Sequence, residues 1–553
     1  MRRVCTWWIG ALALACHSNP ATRVPDDAEA TAVATIDGDD LARHVKVLAS
    51  DAYEGRFPGE AGETKTLAYI TAELARHGIA PAGIDGYLQP VPLSRMTVDS
   101  TSAITLTRPD GTATKLSWGA DLLAWSDGTV TRAKVPVVFV GYGITAPEYA
   151  YDDYGGADVR GAVVVTVGGE PSARDGDATW FQGEALTHHA SPYAKVEAAS
   201  RAGAVALVEL RADGEHGIAW SVLVDGARAP KYDLVADRPH VAARGLVRAD
   251  RFDAAFADGA VTTSALRREA DGPDFVARDL GIVADLDLRT AAVPVTSHNV
   301  VGWIEGSERP DEIVVYTAHW DHVGTRNHLS GDKIFNGAVD NATGTAALLE
   351  LAAAFAALDA PPRRSILFLA TTAEEQGLLG ARHYVAQPIF PLRNTVGVIN
   401  MDALFPFGSS SSMTVVGMGS SELEDYLAEA ARQTGRTLHP DPTPQAGAFF
   451  RSDHFPFAER GVPAVFAVGG PTPQQLQSDP ARLARYADYL QHRYHQPADE
   501  YDAATWDMSG IVQDVQVYFR AGLALANDDA FPNWRPDHPF RARRDAMREA
   551  DAG

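Results

Sequence analysis

Histidine and carboxylate side chains repeatedly follow the predicted strands in the carboxyl-terminal half of the chain. These residues are His319, Asp321, Asp340, Glu374, Glu375, Asp402 and His495. Two imidazoles and several carboxylates in one crevice would be self-repelling unless cations lay among them. Imidazole and carboxylate donors without thiolate favour zinc or a similar divalent ion, and two ions about 3.5 Å apart need a bridging carboxylate. The pattern therefore predicts a two-metal site, with Asp340 as the bridge because it opens a predicted helix.

Alternating apolar runs and helical patterns position these donors. Strands are predicted at 313–317, 365–371, 395–400 and 464–468, and helices at 342–358, 381–386 and 422–433. This rhythm predicts an α/β fold, a mostly parallel sheet with helices on both faces. Ligands of such sheets gather at the carboxyl ends of the strands, which is where the donors lie.

Changes in composition and hydrophobic pattern along the chain suggest a domain organisation. Residues 37–90 and 288–530 are predicted to form the α/β domain, and residues 91–287, with short β-branched runs, a β-rich insert. Residues 17–36 are predicted to be a tether. Residues 531–553, rich in Arg and Asp, are predicted to be a loose tail.

The amino terminus has the features of an export signal. Arg2 and Arg3 precede an apolar run at 4–15, which predicts a secretory signal peptide. The segment that ends at Cys16 resembles a lipoprotein cleavage box, and ordinary cleavage is the alternative. We therefore expect a periplasmic or outer-membrane lipoprotein, or an extracellular protein, with membrane contact only through a lipid. The only cysteines are Cys5 and Cys16, so a mature chain has no internal disulfide or thiolate metal site.

Composition narrows the classes of partner. The chain has 553 residues, of which 46% are apolar, which excludes a wholly disordered protein. Its formal net charge is −24, and no Lys/Arg-rich stripe is present to neutralise phosphates, so nucleic acid is not an expected partner. The oligomeric state stays open.

The donor residues lie in segments that resemble metallopeptidase family 28. The segments are YTAHWDHVG, GAVDNATG, TTAEEQGLLGARHY and RSDHFPFAERGVPAVF. The family contains two-zinc exopeptidases, including secreted leucyl aminopeptidases and glutamate carboxypeptidase. The likeness extends over about 37–90 and 293–525. The intervening VVFVGYGITAPEYAYDDYGGADVRGAVVV looks like the protease-associated insert of many members, a β-rich lid domain.

The resemblance implies a role for each residue. One zinc would be bound by His319 and Asp402 and the other by Glu375 and His495, with Asp340 bridging both and a cis peptide bond following it. Glu374 would be the general base, and Asp321 would hold the tautomer of the His319 imidazole. Tyr494 would be an oxyanion donor or a packed aromatic residue, and Arg451 a substrate contact.

The expected function is a secreted or lipid-anchored zinc exopeptidase that acts on peptides by metal-activated water attack. An aminopeptidase is favoured, because Glu374, Glu375 and Asp402 would attract a cationic α-amine. The alternatives are a carboxypeptidase of the glutamate carboxypeptidase type and a non-catalytic, receptor-like binding protein. A cyclase-like transferase fits less well, since that branch uses one zinc.

Other histidines receive no metal role from the sequence. His188 and His189 are adjacent and would point apart on a strand, so no metal is assigned to them. His322 and His454 lie near the motifs, and His454 is expected to organise the loop beside the site. No His-Glu-x-x-His or Gly-x-Ser-x-Gly segment occurs, so two common hydrolase classes lack support.

Overall fold

The computed structural model describes residues 26–171, 177, 179–215, 218–235, 240–256 and 261–549. The predicted signal peptide and Cys16 lie outside these residues. Among the described residues, no helix is both long enough and apolar enough to span a membrane.

The strands vary from two-residue bridges to a strand of 15 residues. In chain order, the described strands are β1 (Ala80–Pro81), β2 (Leu88–Val98), β3 (Ala103–Thr107), β4 (Ala113–Ser117), β5 (Leu122–Ser126), β6 (Val130–Phe139), β7 (Thr145–Ala146), β8 (Tyr151–Asp152), β9 (Val163–Val167), β10 (Ala206–Arg211), β11 (Lys231–Leu234), β12 (Ala243–Arg248), β13 (Arg278–Leu288), β14 (Thr290–Ile304), β15 (Arg309–His319), β16 (Gly324–Thr325), β17 (Ile334–Phe335), β18 (Arg364–Thr371), β19 (Thr395–Asn400), β20 (Ser412–Val416), β21 (Thr437–Pro440) and β22 (Ala464–Gly469).

The α-helices flank two sheets. In chain order, the described helices are α1 (Asp26–Ala34), α2 (Gly38–Leu48), α3 (Ala61–Arg76), α4 (Pro192–Arg201), α5 (Trp220–Ala227), α6 (Ala249–Asp253), α7 (Thr263–Ala270), α8 (Thr343–Ala356), α9 (Leu379–Ala386), α10 (Leu423–Gln433), α11 (His454–Glu459), α12 (Pro473–Ser478), α13 (Pro480–Asp488), α14 (Ser509–Asn527) and α15 (Arg541–Glu549).

The main sheet has the order β11-β2-β14-β18-β15-β19-β22-β20-β21, with β1 beside β14. The α/β class is confirmed. The central strands β18, β15, β19 and β22 are parallel, whereas β11, β2 and β14 are antiparallel to their neighbours. The connection 305–308 between β14 and β15 is too short for a crossover, so β14 runs opposite to β15 and therefore opposite to its own neighbour β18, which is parallel to β15. The sheet is therefore mixed, and its parallel centre carries the site.

The central strands are buried on both faces. All eight residues of β18 and all six of β19 are buried, as continuous apolar runs predict. Helix α8 is buried nearly all round because its small alanines let it pack closely against the sheet. The strand ends are thus held by a rigid core.

A second sheet occupies the middle of the chain. Its order is β4-β3-β13-β6-β9-β10-β12-β5, so it spans residues 103–288 and has a separate apolar core. Strand β11 lies within this range but pairs with β2 in the main sheet. The middle of the chain therefore contributes a strand to the sheet that carries the donors.

Both predicted flanking segments differ from expectation where they are described. The sequence predicts a tether at 17–36, but residues 26–34 form α1, and Ala32 and Ile36 lie buried in the main core. The sequence predicts a loose tail at 531–553, but residues 541–549 form α15. Trp534 and Arg544 are fully buried, and Arg544 donates to the carbonyl of Thr395 at 2.6 Å. In both segments a few buried side chains hold an otherwise polar sequence against the core, and composition alone does not reveal them.

Candidate metal centre

Three adjacent parallel strands end at the candidate site. His319 is the last residue of β15, Glu374 and Glu375 follow β18, and Asp402 follows β19. An added Cβ at Gly344 would lie 2.5 Å from the Met401 carbonyl oxygen, so only glycine lets the start of α8 approach the strand ends this closely. Each of these residues lies at or just after the end of its strand, and the pairing of the three strands brings their side chains together.

The first group of donors surrounds His319. Its Nε2 atom lies 3.3 Å from Asp402 Oδ1, 3.3 Å from Asp340 Oδ1 and 4.0 Å from Glu374 Oε2. The imidazole is 1% exposed, so the surrounding protein fixes its orientation.

The second group surrounds His495. Its Nε2 atom lies 3.0 Å from Asp340 Oδ2 and 3.1 Å from Glu375 Oε2. The two carboxylate oxygens of Asp340 therefore face one histidine of each group. The residues predicted as ligands all come together here, with Asp340 between the two groups.

The backbone around Asp340 is held from two sides. Asp499 accepts hydrogen bonds from the amides of Val339, at 3.0 Å, and Asp340, at 3.1 Å. The peptide bond between Asp340 and Asn341 is cis, as the resemblance implies. The Asn341 side chain donates to the Met401 carbonyl at 3.0 Å, which ties this turn to the residue before Asp402. Sequence reasoning gave Asp499 no role.

The Asp321 carboxylate contacts the backbone of Glu374 and Glu375 more directly than it contacts the His319 imidazole. Its carboxylate accepts the backbone amides of Glu374, at 3.0 Å, and Glu375, at 3.4 Å. His319 Nδ1 lies 3.1 Å from the backbone carbonyl of Asp321 and 3.9 Å from its carboxylate. The residue therefore supports His319 mainly through its backbone and Glu374 through its side chain.

His322 is a further donor that the sequence left without a role. Its Nδ1 atom lies 2.7 Å from Glu375 Oε1, and it is fully buried. It forms one group with Asp340, Glu375 and His495, whose donor atoms all lie within 4.8 Å of one another. Its spacing from His319, three residues along the chain, was the available signal.

Arg56 was also missed. Its guanidinium is buried and donates to the carbonyls of Trp320, at 2.8 Å, and Leu48, at 2.7 Å. It also donates to the carbonyls of Asn336, at 2.7 Å, and Gly337, at 2.8 Å. It thereby links the segment after His319 to the segment before Asp340.

Ser452 holds the carboxylate of Asp402. Its hydroxyl donates to Asp402 Oδ2 at 2.5 Å and accepts from the Asn400 side chain at 2.7 Å. The next residue, Asp453, accepts a hydrogen bond from the Thr371 hydroxyl at the end of β18. His454 is fully buried at the start of α11 beside this loop.

Tyr494 and Arg451 lie at the edge of the second group. The Tyr494 ring stacks on the imidazole of His495, with 4.0 Å between centroids. Arg451 Nη2 donates to the Tyr494 hydroxyl at 3.4 Å. Burial raises the pKa of Tyr494 well above its usual value, so its O–H remains available as a donor at neutral pH.

The electrostatics of the site suit bound cations. Burial, and then the charges of Asp402 and Glu375, raise the pKa of Glu374 well above its usual value, although His319 opposes this. Burial alone would lower the pKa of His495, but Glu375 and Asp340 raise it to about 10. His322 Nε2 is buried without a hydrogen-bond partner among the described residues, and Glu375 Oε1 has only His322 Nδ1 beside it, at 2.7 Å. Crowded carboxylates and unsatisfied hard donors are what divalent cations stabilise.

The part of the chain that carries these donors matches a known family. Residues 299–520 match the sequence model of peptidase family M28, a range that includes every donor from His319 to His495. These residues form a peptidase family M28 domain. The second sheet, residues 103–288, lies outside the M28 match.

The chain has relatives whose names describe different activities. It is similar to the mouse protein named aminopeptidase NAALADL1, 32% identical over 143 residues, 25% of this chain and 17% of that protein. It is also similar to the glutamate carboxypeptidase 2 homolog of Caenorhabditis elegans, 30% identical over 207 residues, 36% of this chain and 24% of that protein. The chain therefore matches less than a quarter of the length of each of these two relatives.

A solved structure shares the fold beyond the M28 match. The aminopeptidase from Aneurinibacillus sp. strain AM-1 has a TM-score of 0.51 and 18% sequence identity, over 89% of this chain and 95% of that one. At this identity the likeness establishes the fold alone.

Proposed function

We propose that this protein is a two-zinc exopeptidase, an aminopeptidase that removes amino-terminal residues from peptides. The observation that carries the proposal is the position of Asp340, whose two oxygens lie 3.3 Å from His319 Nε2 and 3.0 Å from His495 Nε2. A carboxylate between two donor groups suits a pair of ions, each completed by one further carboxylate, from Asp402 or Glu375. The relative named an aminopeptidase supports the same assignment.

The chain's own residues supply the proton transfers. When bound, the two ions would make water more acidic and polarise the scissile carbonyl. Glu374 lies beside the His319 group, with its Oε2 4.0 Å from His319 Nε2, and is positioned to take a proton from the attacking water and return it to the leaving amine. Bound cations would lower the pKa that burial and the neighbouring carboxylates raise, so Glu374 would be ionised and able to act as a base. Asp321 fixes the Glu374 backbone, and the Tyr494 hydroxyl is available to donate to the developing oxyanion.

The amino-terminal preference follows from the sign of charge at the site. Glu374, Glu375 and Asp402 converge there and would attract the cationic α-amine of a peptide. The second candidate is a carboxypeptidase, favoured by Arg451 beside Tyr494, which offers a guanidinium to a substrate carboxylate, and by the nematode relative.

Peptide products distinguish the two activities. Zinc-loaded protein is incubated with peptides supplied in pairs, with free and acetylated amino termini, and the products are read by mass spectrometry. We expect stepwise loss from free amino termini only. Loss from carboxyl ends would favour the carboxypeptidase, and no cleavage of any peptide would contradict both.

Two variants link turnover to the proposed residues. Glu374→Gln removes the general base and is expected to lower kcat by about 100-fold to 10,000-fold while the zinc content is unchanged. The exposed Glu429→Gln on α10 is the matched control and should turn over normally. Near-normal turnover in Glu374→Gln would refute the role of Glu374.

We also propose that the protein is exported, as a secreted or lipid-anchored form, and that peptides are its substrates. The support is the charged and apolar sequence at 2–15 and the position of Cys16. The mass of the amino-terminal peptide of the purified protein tests this. An acylated Cys16 would establish the anchor, and cleavage without acylation would establish secretion of an unanchored form. An uncleaved Met1 would contradict both.

A further inference from the structure

A third group of side chains that could hold a metal ion lies in the middle of the chain, outside the M28 match. It consists of Glu148, His188 and His189. The sequence leads one to expect adjacent histidines on a strand, pointing apart. The structure instead places residues 188–190 in a 3₁₀ turn, so both imidazoles lie on one side.

The three side chains form a compact donor set. His189 Nε2 lies 2.7 Å from Glu148 Oε1, and the two imidazole centroids are 3.8 Å apart. One ligand atom from each residue lies within 4.8 Å of the other two. Ligand atoms of a tetrahedral zinc lie about 3.3 Å apart, so small side-chain rotations complete the set.

Aromatic side chains surround the polar donor atoms of this group. The His189 ring packs 6.3 Å from Tyr149 and 6.2 Å from Phe181, and His188 packs 5.6 Å from Phe540. Such a shell limits solvent access to a metal site. The Glu148 side chain is 40% exposed, which leaves room for water ligands.

A simple ion pair between His189 and Glu148 does not account for His188. Among the described residues, the His188 ring has aromatic neighbours and no hydrogen-bond partner. No described residue therefore occupies its ring nitrogens, although the cationic side chain of Arg543 lies nearby. The guanidinium of Arg543 already donates to the Glu459 carbonyl at 2.6 Å.

We propose that Glu148, His188 and His189 bind one divalent ion of the zinc class, separately from the ions at Asp340. Two imidazoles and one carboxylate are a known zinc donor set, with water in the remaining position. All three residues line the crevice that Glu375 and Gln376 also line. The ion would therefore fix two turns in a wall of the crevice that leads to the peptidase site.

Metal stoichiometry tests the proposal without relying on catalysis. The full chain is dialysed against buffered free zinc, and bound metal per chain is measured by mass spectrometry. We expect one ion more in the wild type than in His188→Gln/His189→Gln. The control is His328→Gln, whose ring is paired with Asp225 at 2.8 Å, and it should keep the wild-type number of ions.

Two further variants guard against misfolding and against confusion with the main site. Glu148→Gln changes an exposed side chain and should lose the same ion without unfolding the chain. His319→Gln/His495→Gln should keep it while losing metal at Asp340. Equal zinc content in the wild type and in Glu148→Gln and His188→Gln/His189→Gln would overturn the proposal, whatever the outcome of the peptide assays.

Discussion

The carboxylate of Asp321 accepts a hydrogen bond from the backbone amide of Glu374, at 3.0 Å. Because the amide of Glu375 bonds to the same carboxylate at 3.4 Å, one side chain fixes the peptide units of both glutamates. The two glutamates face different donor groups, so their backbone must be placed accurately for both.

Replacing Asp321 should therefore affect catalysis more than metal binding. In Asp321→Asn, one acceptor oxygen is replaced by an amide group that cannot accept a backbone N–H. We expect kcat to fall by about 10-fold to 100-fold with zinc content retained, measured by steady-state kinetics and metal analysis. Asp332→Asn, on an exposed turn, is the control. Zinc loss with unchanged turnover per loaded site would show instead that Asp321 acts through His319.

Arg56 should be required for metal affinity although it contacts no proposed ligand side chain. Four backbone carbonyls accept its N–H groups, including those of Trp320 and Gly337. A lysine ammonium cannot reach all four, and each buried carbonyl left without a partner is destabilising by about 1–3 kcal/mol. We expect Arg56→Lys to have a lower Tm and a smaller stabilisation by added zinc.

The control for Arg56→Lys is Arg43→Lys, which makes the same change at a partly exposed arginine on α2. Differential scanning fluorimetry with and without zinc measures both Tm and its shift by metal. The same zinc-induced shift in Arg56→Lys and the wild type would contradict the positioning role.

The grouping of the donors could be predicted because local sequence carries the information. Each predicted donor on the sheet follows a recognisable apolar run, and parallel strands bring their carboxyl ends to one edge. His319, Glu374 and Asp402 converge for this reason.

The remaining features depend on contacts that leave no local pattern. The partners of Arg56 are backbone carbonyls, three of them more than 260 residues away, so side-chain type does not reveal them. Trp534 and Arg544 anchor a segment whose composition resembles a tail. The turn at His188 arises from Thr187, which accepts the His189 amide, and it removes the strand geometry that adjacent residues suggest.

Gly377, in the turn after Glu375, lies against Tyr193 of helix α4 in the middle of the chain. A change at this contact should therefore affect catalysis. Gly377 has φ +112°, and an added Cβ would lie 2.1 Å from the Tyr193 hydroxyl. Gly377→Ala must therefore displace Tyr193 or the turn that follows Glu375. A displacement near 1 Å reduces turnover by up to about 100-fold, so we expect a clear fall in kcat/KM.

A second variant separates the clash with Tyr193 from the backbone strain that alanine meets at φ +112°. Tyr193→Phe removes the nearest atom, so Tyr193→Phe/Gly377→Ala should recover part of the lost activity if the clash matters. Gly78→Ala is the control, because its φ is +72° and no atom lies near the added Cβ. Full activity in Gly377→Ala would show that the turn does not depend on this contact.

Asp153 should make the stability of the second sheet's domain fall as pH rises. Its carboxylate is 2% exposed and accepts the Tyr151 hydroxyl at 2.5 Å and the Ile144 amide at 2.9 Å. Burial raises its pKa from 3.8 to about 7 against the effect of these hydrogen bonds. Between these pH values the folded state holds a proton that the unfolded state has released, so the free energy of unfolding decreases through this window and then levels off.

Asp153→Asn has no proton to lose and should lack this dependence. The difference in unfolding free energy between wild type and Asp153→Asn should change by a few kcal/mol between about pH 4 and pH 8, with the variant gaining relative stability at the higher pH. Urea unfolding of the full chain at several pH values measures it, with the exposed Asp274→Asn as control. Parallel stability curves for wild type and Asp153→Asn would mean that Asp153 is already ionised in the folded state, with its two hydrogen bonds outweighing burial.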